Sequence, residues 1–95
     1  MARDYKLVTI TRSPLKSKKY RAVWSDGTHT DFGATGYEDY LEHANPYRRS
    51  AYRQRHRSDN IYDPKTPGAL SWWISWGMST SIRENIREFR EHFKL

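Results

Sequence analysis

The chain has 95 residues, enough for one domain with one modest core. Seventeen Lys and Arg against eleven Asp and Glu give a formal net charge of +6, which favours polyanionic partners. Four Trp and seven Tyr exclude a disordered basic tail, and the lack of cysteine excludes disulfides, thiolate metal sites and a cysteine nucleophile.

Residues Tyr5 to Arg12 (YKLVTITR) are rich in β-branched side chains and predict a first strand. Pro14 marks the loop that follows. Lys19 to Ser25 (KYRAVWS) predicts a second strand, and Asp26-Gly27 predicts a type I′ hairpin turn into a third, Thr28 to Ala34 (THTDFGA). Gly33 and Gly36 suit the turn from sheet to helix. Residues 1–35 therefore read as an antiparallel β-meander.

The periodicity then becomes helical through residues 36–95. Thr35 and Glu38 have capping-box spacing ahead of GYEDYLEH, with Tyr37, Tyr40 and Leu41 on one face. Asn45 at the N-cap and Pro46 at the first helical position open an arginine-rich helix to about Arg57. Thr66-Pro67 repeats that arrangement ahead of GALSWWISW, which Gly77 closes. Ser81 and Glu84 open a last helix with Ile82, Ile86, Phe89 and Phe93 on one stripe and mixed charges outside. The expected fold is α+β: a single domain, 1–95, in which a three-stranded meander is followed by three to four short helices packed on one sheet face. Trp24, Leu41, Leu70, Trp73, Ile74, Ile82, Ile86 and Phe89 are its expected core.

Function is sought first in the arginine helix, which holds five arginines within ten residues. Arg49, Arg53 and Arg57 recur every fourth residue and predict one exposed ridge, broadened by Arg48 and Arg55, with Tyr47, Ala51 and Tyr52 inward. The planar guanidinium fork suits phosphate or carboxylate. A solvated face that keeps the protein soluble would carry the same residues. The Trp-rich helix could stack on bases, but a domain this small needs its large side chains inside.

The four histidines show no ligand spacing of the HExxH kind. His29 and Asp31 alternate on one strand and could meet Glu42 and His43 in a metal-dependent nuclease site. Isolated surface histidines explain the same residues, and neither metal nor cofactor is expected. Asp31-Phe32-Gly33 spells a kinase signature without the rest of a kinase. The stretch MARDYKLVTITRS lacks an apolar signal core, and no apolar run reaches bilayer length, so a soluble protein made in the cytosol is expected, with no membrane insertion.

Three segments together, KKYRAVWSDGTHTDFGATGYEDYLEH, RRSAYRQRHR and DPKTPGALSWWISWGMSTSIRENIREF, resemble a family of small basic proteins of large DNA viruses of algae and amoebae. The most specific pieces are FGA-x-GY-x-DY, the Tyr52, Arg55, His56, Arg57 cluster, and the helix from Thr66 to Trp76. The resemblance covers roughly residues 18 to 93. It implies a viral origin and a compact domain, and it brings no catalytic residues with it. The chain departs from the family pattern in SDNIYDP and at Trp72.

Two functional expectations follow. In the first, a non-enzymatic viral protein binds nucleic acid, DNA more readily than RNA, largely without regard to sequence. Arg48, Arg49, Arg53, Arg55 and Arg57 hold phosphates, helped by Lys16, Lys18, Lys19 and Arg21. In the second, a minor capsid or scaffold protein sets its arginines and Trp helix against acidic surfaces of shell proteins. Either role implies the virion, or the host cytoplasm or viral replication site.

Overall fold

The computed structural model describes residues 3–95. Three antiparallel strands form the expected meander in the order β1 (Leu7–Arg12), β2 (Lys18–Trp24), β3 (His29–Ala34). The pleat sends Tyr20, Ala22 and Trp24 of β2 to one face, with Phe32 opposite Tyr20 and Ile10 opposite Ala22. Between Leu7 and Thr9 the register shifts, and this bulge turns Leu7 to the same face as Ile10 despite their odd spacing. On the other face Arg21 sits directly across from Asp31 and binds it through two hydrogen bonds of 2.9 and 3.1 Å.

The β2–β3 turn departs from type I′, which needs positive φ at both Asp26 and Gly27. Only Gly27 is left-handed, at +88°, and its N–H donates to Trp24 O at 3.1 Å. The loop is a three-residue hairpin closed by glycine. Asp26 is held in place by the N–H and hydroxyl of Thr28 and by Lys65.

Helix α1 is a single turn, Tyr40–His43, and its cap lies four residues beyond the expected Thr35. Asp39 is the N-cap, and the Glu42 carboxylate accepts from Asp39 N at 3.3 Å. Thr35 cannot cap because its hydroxyl donates to Lys16 O at 2.8 Å, and Tyr37 is left exposed ahead of the helix. Helix α2, Pro46–His56, starts where expected, with the Asn45 side chain accepting from Tyr47 N and Arg48 N. Thr66 likewise caps α3, Pro67–Leu70, by accepting from Ala69 N.

Beyond Leu70 the expected α-helix widens into a π turn, Ser71–Ser75, in which Trp76 N donates to Ser71 O at 2.9 Å. Gly77 follows for want of space. A Cβ there would lie 2.3 Å from Trp73 O and 2.7 Å from the Asn85 side chain. Buried Asn85 fastens this exit, donating to Ile74 O at 2.9 Å and Ser79 O at 2.7 Å while accepting from Ser79 N at 3.0 Å. Ser81 then caps α4, Ile82–Phe93.

The core joins Leu7, Ala22, Trp24 and Phe32 of the sheet to Leu70, Ile74, Phe89 and Phe93 of the helices. Trp24, Leu70, Ile74 and Phe89 match the expected core. Ile82, Ile86 and Trp73 pack at its rim, and Leu41 is half-buried outside the cluster. Trp73 stays at the edge because it stacks on His92 at 4.2 Å and its indole N–H donates to Ile61 O at 3.3 Å.

A candidate anion-binding cleft

Helix α2 keeps Tyr52 inward as expected but turns Arg49 and Arg53 of the expected ridge in beside it. Its inward side is Arg49, Tyr52, Arg53 and His56, while Tyr47 is 85% exposed and Ala51 also faces solvent. Arg49 Nε donates to Gly77 O at 2.7 Å and Trp76 O at 3.2 Å. Arg53 Nη1 donates to Trp72 O at 2.8 Å and Trp76 O at 3.0 Å. The carbonyls where a helix ends lack intrahelical partners and carry the negative end of its dipole. Two guanidinium forks supply the missing donors, so the exposed ridge of Arg49, Arg53 and Arg57 is overturned at its first two members. Burial, and then the neighbouring Arg49 charge, pushes Arg53 down to about 10.

Two further candidates are also engaged internally. Lys19 bridges Asp39, at 3.4 Å, and Glu42. Arg21 is taken by Asp31, whose Oδ1 also accepts from Ser13 Oγ at 2.8 Å. Arg48 meets Glu38 at 3.6 Å, with both side chains about half exposed, a pair of little energetic weight. Among the described residues, no ion pair engages Lys16, Lys18, Arg55 or Arg57.

The structure gathers Lys18, Arg48 and Arg55, together with Lys19 and the carboxylates of Glu38, Asp39 and Asp59, on the walls of one cleft of about 550 Å3, bounded by β2, β3, α2 and the start of the α3–π segment. This volume lies in the range of small-molecule sites. On one side an aromatic stack rises from the floor: Trp76 and Tyr52 are parallel within 3° at 4.2 Å, and His56 covers Tyr52 at 4.2 Å. Asp59 fixes the His56 ring through a 2.8 Å bond to Nδ1. Burial holds the Tyr52 phenol above the usual tyrosine range, so it stays neutral.

Asp39 and Ser75, both buried, line the same recess. Asp39 Oδ2 accepts from the Tyr20 hydroxyl at 3.2 Å and from Lys19, and burial followed by the nearby Asp39 charge pushes the Tyr20 phenol up. Asp39 Oδ1 and Ser75 Oγ find no hydrogen-bond partner among the described residues. Sequence reasoning passed over both. The Asp39 to Glu42 spacing signals a cap and could have found the first. Ser75 carries no local signal, because only the π turn brings it to the floor.

The alternative metal site is not assembled. His29 approaches Asp31 at 3.7 Å, but His43 packs on Trp76, with ring centroids 5.2 Å apart. Among the described residues no three His, Asp or Glu side chains group as metal ligands, and no helix is long and apolar enough to cross a membrane.

Residues 8–56, more than half of the chain, match a family of unknown function, DUF5754. The chain belongs to DUF5754. No curated protein and no solved structure matches it. The DUF5754 span runs from β1 to the end of α2, so it contains Lys18, Asp39, Arg48 and Arg55 of the cleft. It ends before the π turn that supplies Ser75 and Trp76.

Proposed function

We propose that this protein is a non-enzymatic binder of nucleic acid that takes single strands into the cleft. The observation that carries this reading is the convergence of Lys18, Arg48 and Arg55, from a strand and a helix, on one recess beside a stack of aromatic rings. A positively charged groove flanked by rings is the general solution for holding unpaired strands, because every strand offers phosphates and every base a π-face. Lys16 and Arg57 are exposed and line no part of the cleft, and among the described residues no ion pair occupies them. With Arg49, Arg53, Lys19 and Arg21 committed internally, the free charge is local, which suits a narrow strand better than the broad face of a duplex. The resemblance to small basic proteins of large DNA viruses supports a viral setting, with DNA as the ligand in a virion or at a replication site.

The test is binding of single-stranded and duplex DNA over a salt series, with wild type and a Lys18→Gln, Arg48→Gln, Arg55→Gln variant. Each phosphate contact to a single strand contributes about 0.7 to the slope of log affinity against log salt, so the triple change should flatten it by about 2 units. Duplex should bind more weakly at every salt concentration. An unchanged slope in a folded variant would overturn the reading. A second reading, a shell or scaffold contact, is favoured by the exposed rings of Tyr37 and Tyr47, a residue type enriched at protein interfaces.

A further inference from the structure

We infer that Tyr37 is the ring on which the bound strand stacks a base, and that the Trp76–Tyr52–His56 stack takes none between its rings. This rests on the nucleic-acid reading of the cleft and names the contact that site makes with a base. Two rings stacked at 4.2 Å cannot share one face of Tyr52, so Trp76 covers one face and His56 the other. Trp76 also has the His43 ring against it, at 5.2 Å, and Asp59 holds His56 through Nδ1. A base could enter this stack only by prising apart rings that already pack on each other.

Tyr37 is 77% exposed and lines the cleft, and among the described residues it enters no aromatic or cation–π pair. Single exposed rings are ordinary on a protein surface, and Tyr47 and Tyr62 are exposed to a similar degree, at 85% and 78%. What sets Tyr37 apart is its place, because neither of the other two lines the cleft. Its segment is anchored at both ends. Thr35 N donates to Ser17 O at 3.2 Å and Thr35 Oγ1 to Lys16 O at 2.8 Å, and Asp39 caps α1 two residues beyond Tyr37. Lys18 pairs with Ala34 on one side of that segment, and on the other Glu38 stands 3.6 Å from Arg48. The segment thus runs from the basic start of β2 to the basic start of α2. A strand that lays a base on Tyr37 has Lys18, Arg48 and Arg55 in the same cleft for its phosphates. Such stacking is indifferent to sequence, since every base has a π-face, and a ring held in place beforehand loses little freedom on binding.

Fluorescence anisotropy of end-labelled oligo(dT), and of an abasic oligomer with the same number of phosphates, separates stacking from charge. Wild type should bind oligo(dT) about tenfold more tightly than the abasic chain. Tyr37→Ala should lose that advantage while its affinity for the abasic chain and its salt slope stay unchanged, and Tyr37→Phe should keep it. Tyr47→Ala, which removes an exposed ring outside the cleft, should bind as wild type does. A Tyr37→Ala protein that keeps the advantage would overturn the inference, and so would an equal loss in Tyr47→Ala. Weaker binding of both oligomers by Tyr37→Ala to the same degree would mark a structural role and overturn it too. Equal wild-type affinities for the two oligomers would overturn stacking and leave the phosphate reading standing. Failure of wild type to bind either one would remove both proposals.

Discussion

Arg53 lies over the Trp72 indole, its guanidinium carbon 3.8 Å from the ring centroid, and donates to the carbonyl oxygen of the same residue at 2.8 Å. One arginine thus fastens both the side chain and the backbone of the segment where the π turn begins. Two charge-assisted hydrogen bonds and a cation–π contact join α2 to that turn. Arg53→Gln should cost about 2–3 kcal/mol, lowering the melting temperature by on the order of 10 °C. Arg55→Gln, on the exposed side of α2, should change stability by no more than about 0.5 kcal/mol while weakening nucleic-acid binding. Thermal melts of both proteins check the contrast. A wild-type melt for Arg53→Gln would return that residue to the pool of ligand contacts.

Gly77→Ala should be one of the more damaging single-methyl changes in the chain. The added Cβ would fall 2.3 Å from Trp73 O, a backbone atom, and 2.7 Å from the side chain of buried Asn85. Overpacking of this kind costs about 3 kcal/mol. Gly27→Ala is the control, since nothing lies within 4 Å and only the left-handed φ of +88° is penalised, at about 1 kcal/mol. Urea unfolding of the two variants gives both values.

Acid should weaken the fold through Asp31 and Glu42. The Arg21 hydrogen bond holds Asp31 below its usual 3.8, and the Lys19 bond holds Glu42 below its usual 4.5. A carboxyl depressed in the folded state is protonated first in the unfolded chain. The stability it contributes is complete above about pH 5 and declines as pH falls through 4 and below. Glu42 is the more exposed of the two, so solvent screens its share and Asp31 should outweigh it; Asp26, held well below the usual carboxylate range by its Lys65 hydrogen bond, adds a third acid-sensitive group. Melting temperature followed from pH 6 to pH 2 should fall, and Asp31→Asn should flatten the curve. An identical slope in that variant would remove the Arg21–Asp31 pair from the account.

The parts of this fold that depend on neighbours in the chain were legible in the sequence. The strands, the Asn45-Pro46 and Thr66-Pro67 starts and the Ser81 cap each rest on a few adjacent residues. The orientation of α2 was not legible, because it depends on carbonyls that become available only where the helix after Leu70 widens. Reading Tyr47 and Ala51 as the inward side followed hydrophobicity, whereas the partner on offer was polar and drew Arg49 and Arg53 instead. Of the cleft, the charged wall of Lys18, Arg48 and Arg55 was visible as basic residues, though not as a group set apart from their occupied neighbours. The rest of its lining was partly hidden: Asp39 sits in the FGA-x-GY-x-DY stretch and caps α1, but Ser75 carries no local signal, and only the fold brings both to one recess.

The π turn also imposes a rule of length. Between Ser71 and Trp76 the backbone closes its hydrogen bond over five residues where an ordinary helix uses four. Losing one residue there would let the α-pattern resume and rotate the following positions by about 100°. Trp76 would swing away from Tyr52, and the oxygens that receive Arg49 and Arg53 would no longer face α2. Side chains in this stretch are therefore more exchangeable than its residue count. Relatives that keep every arginine but run one residue short here would have lost the seat on which the arginine helix rests.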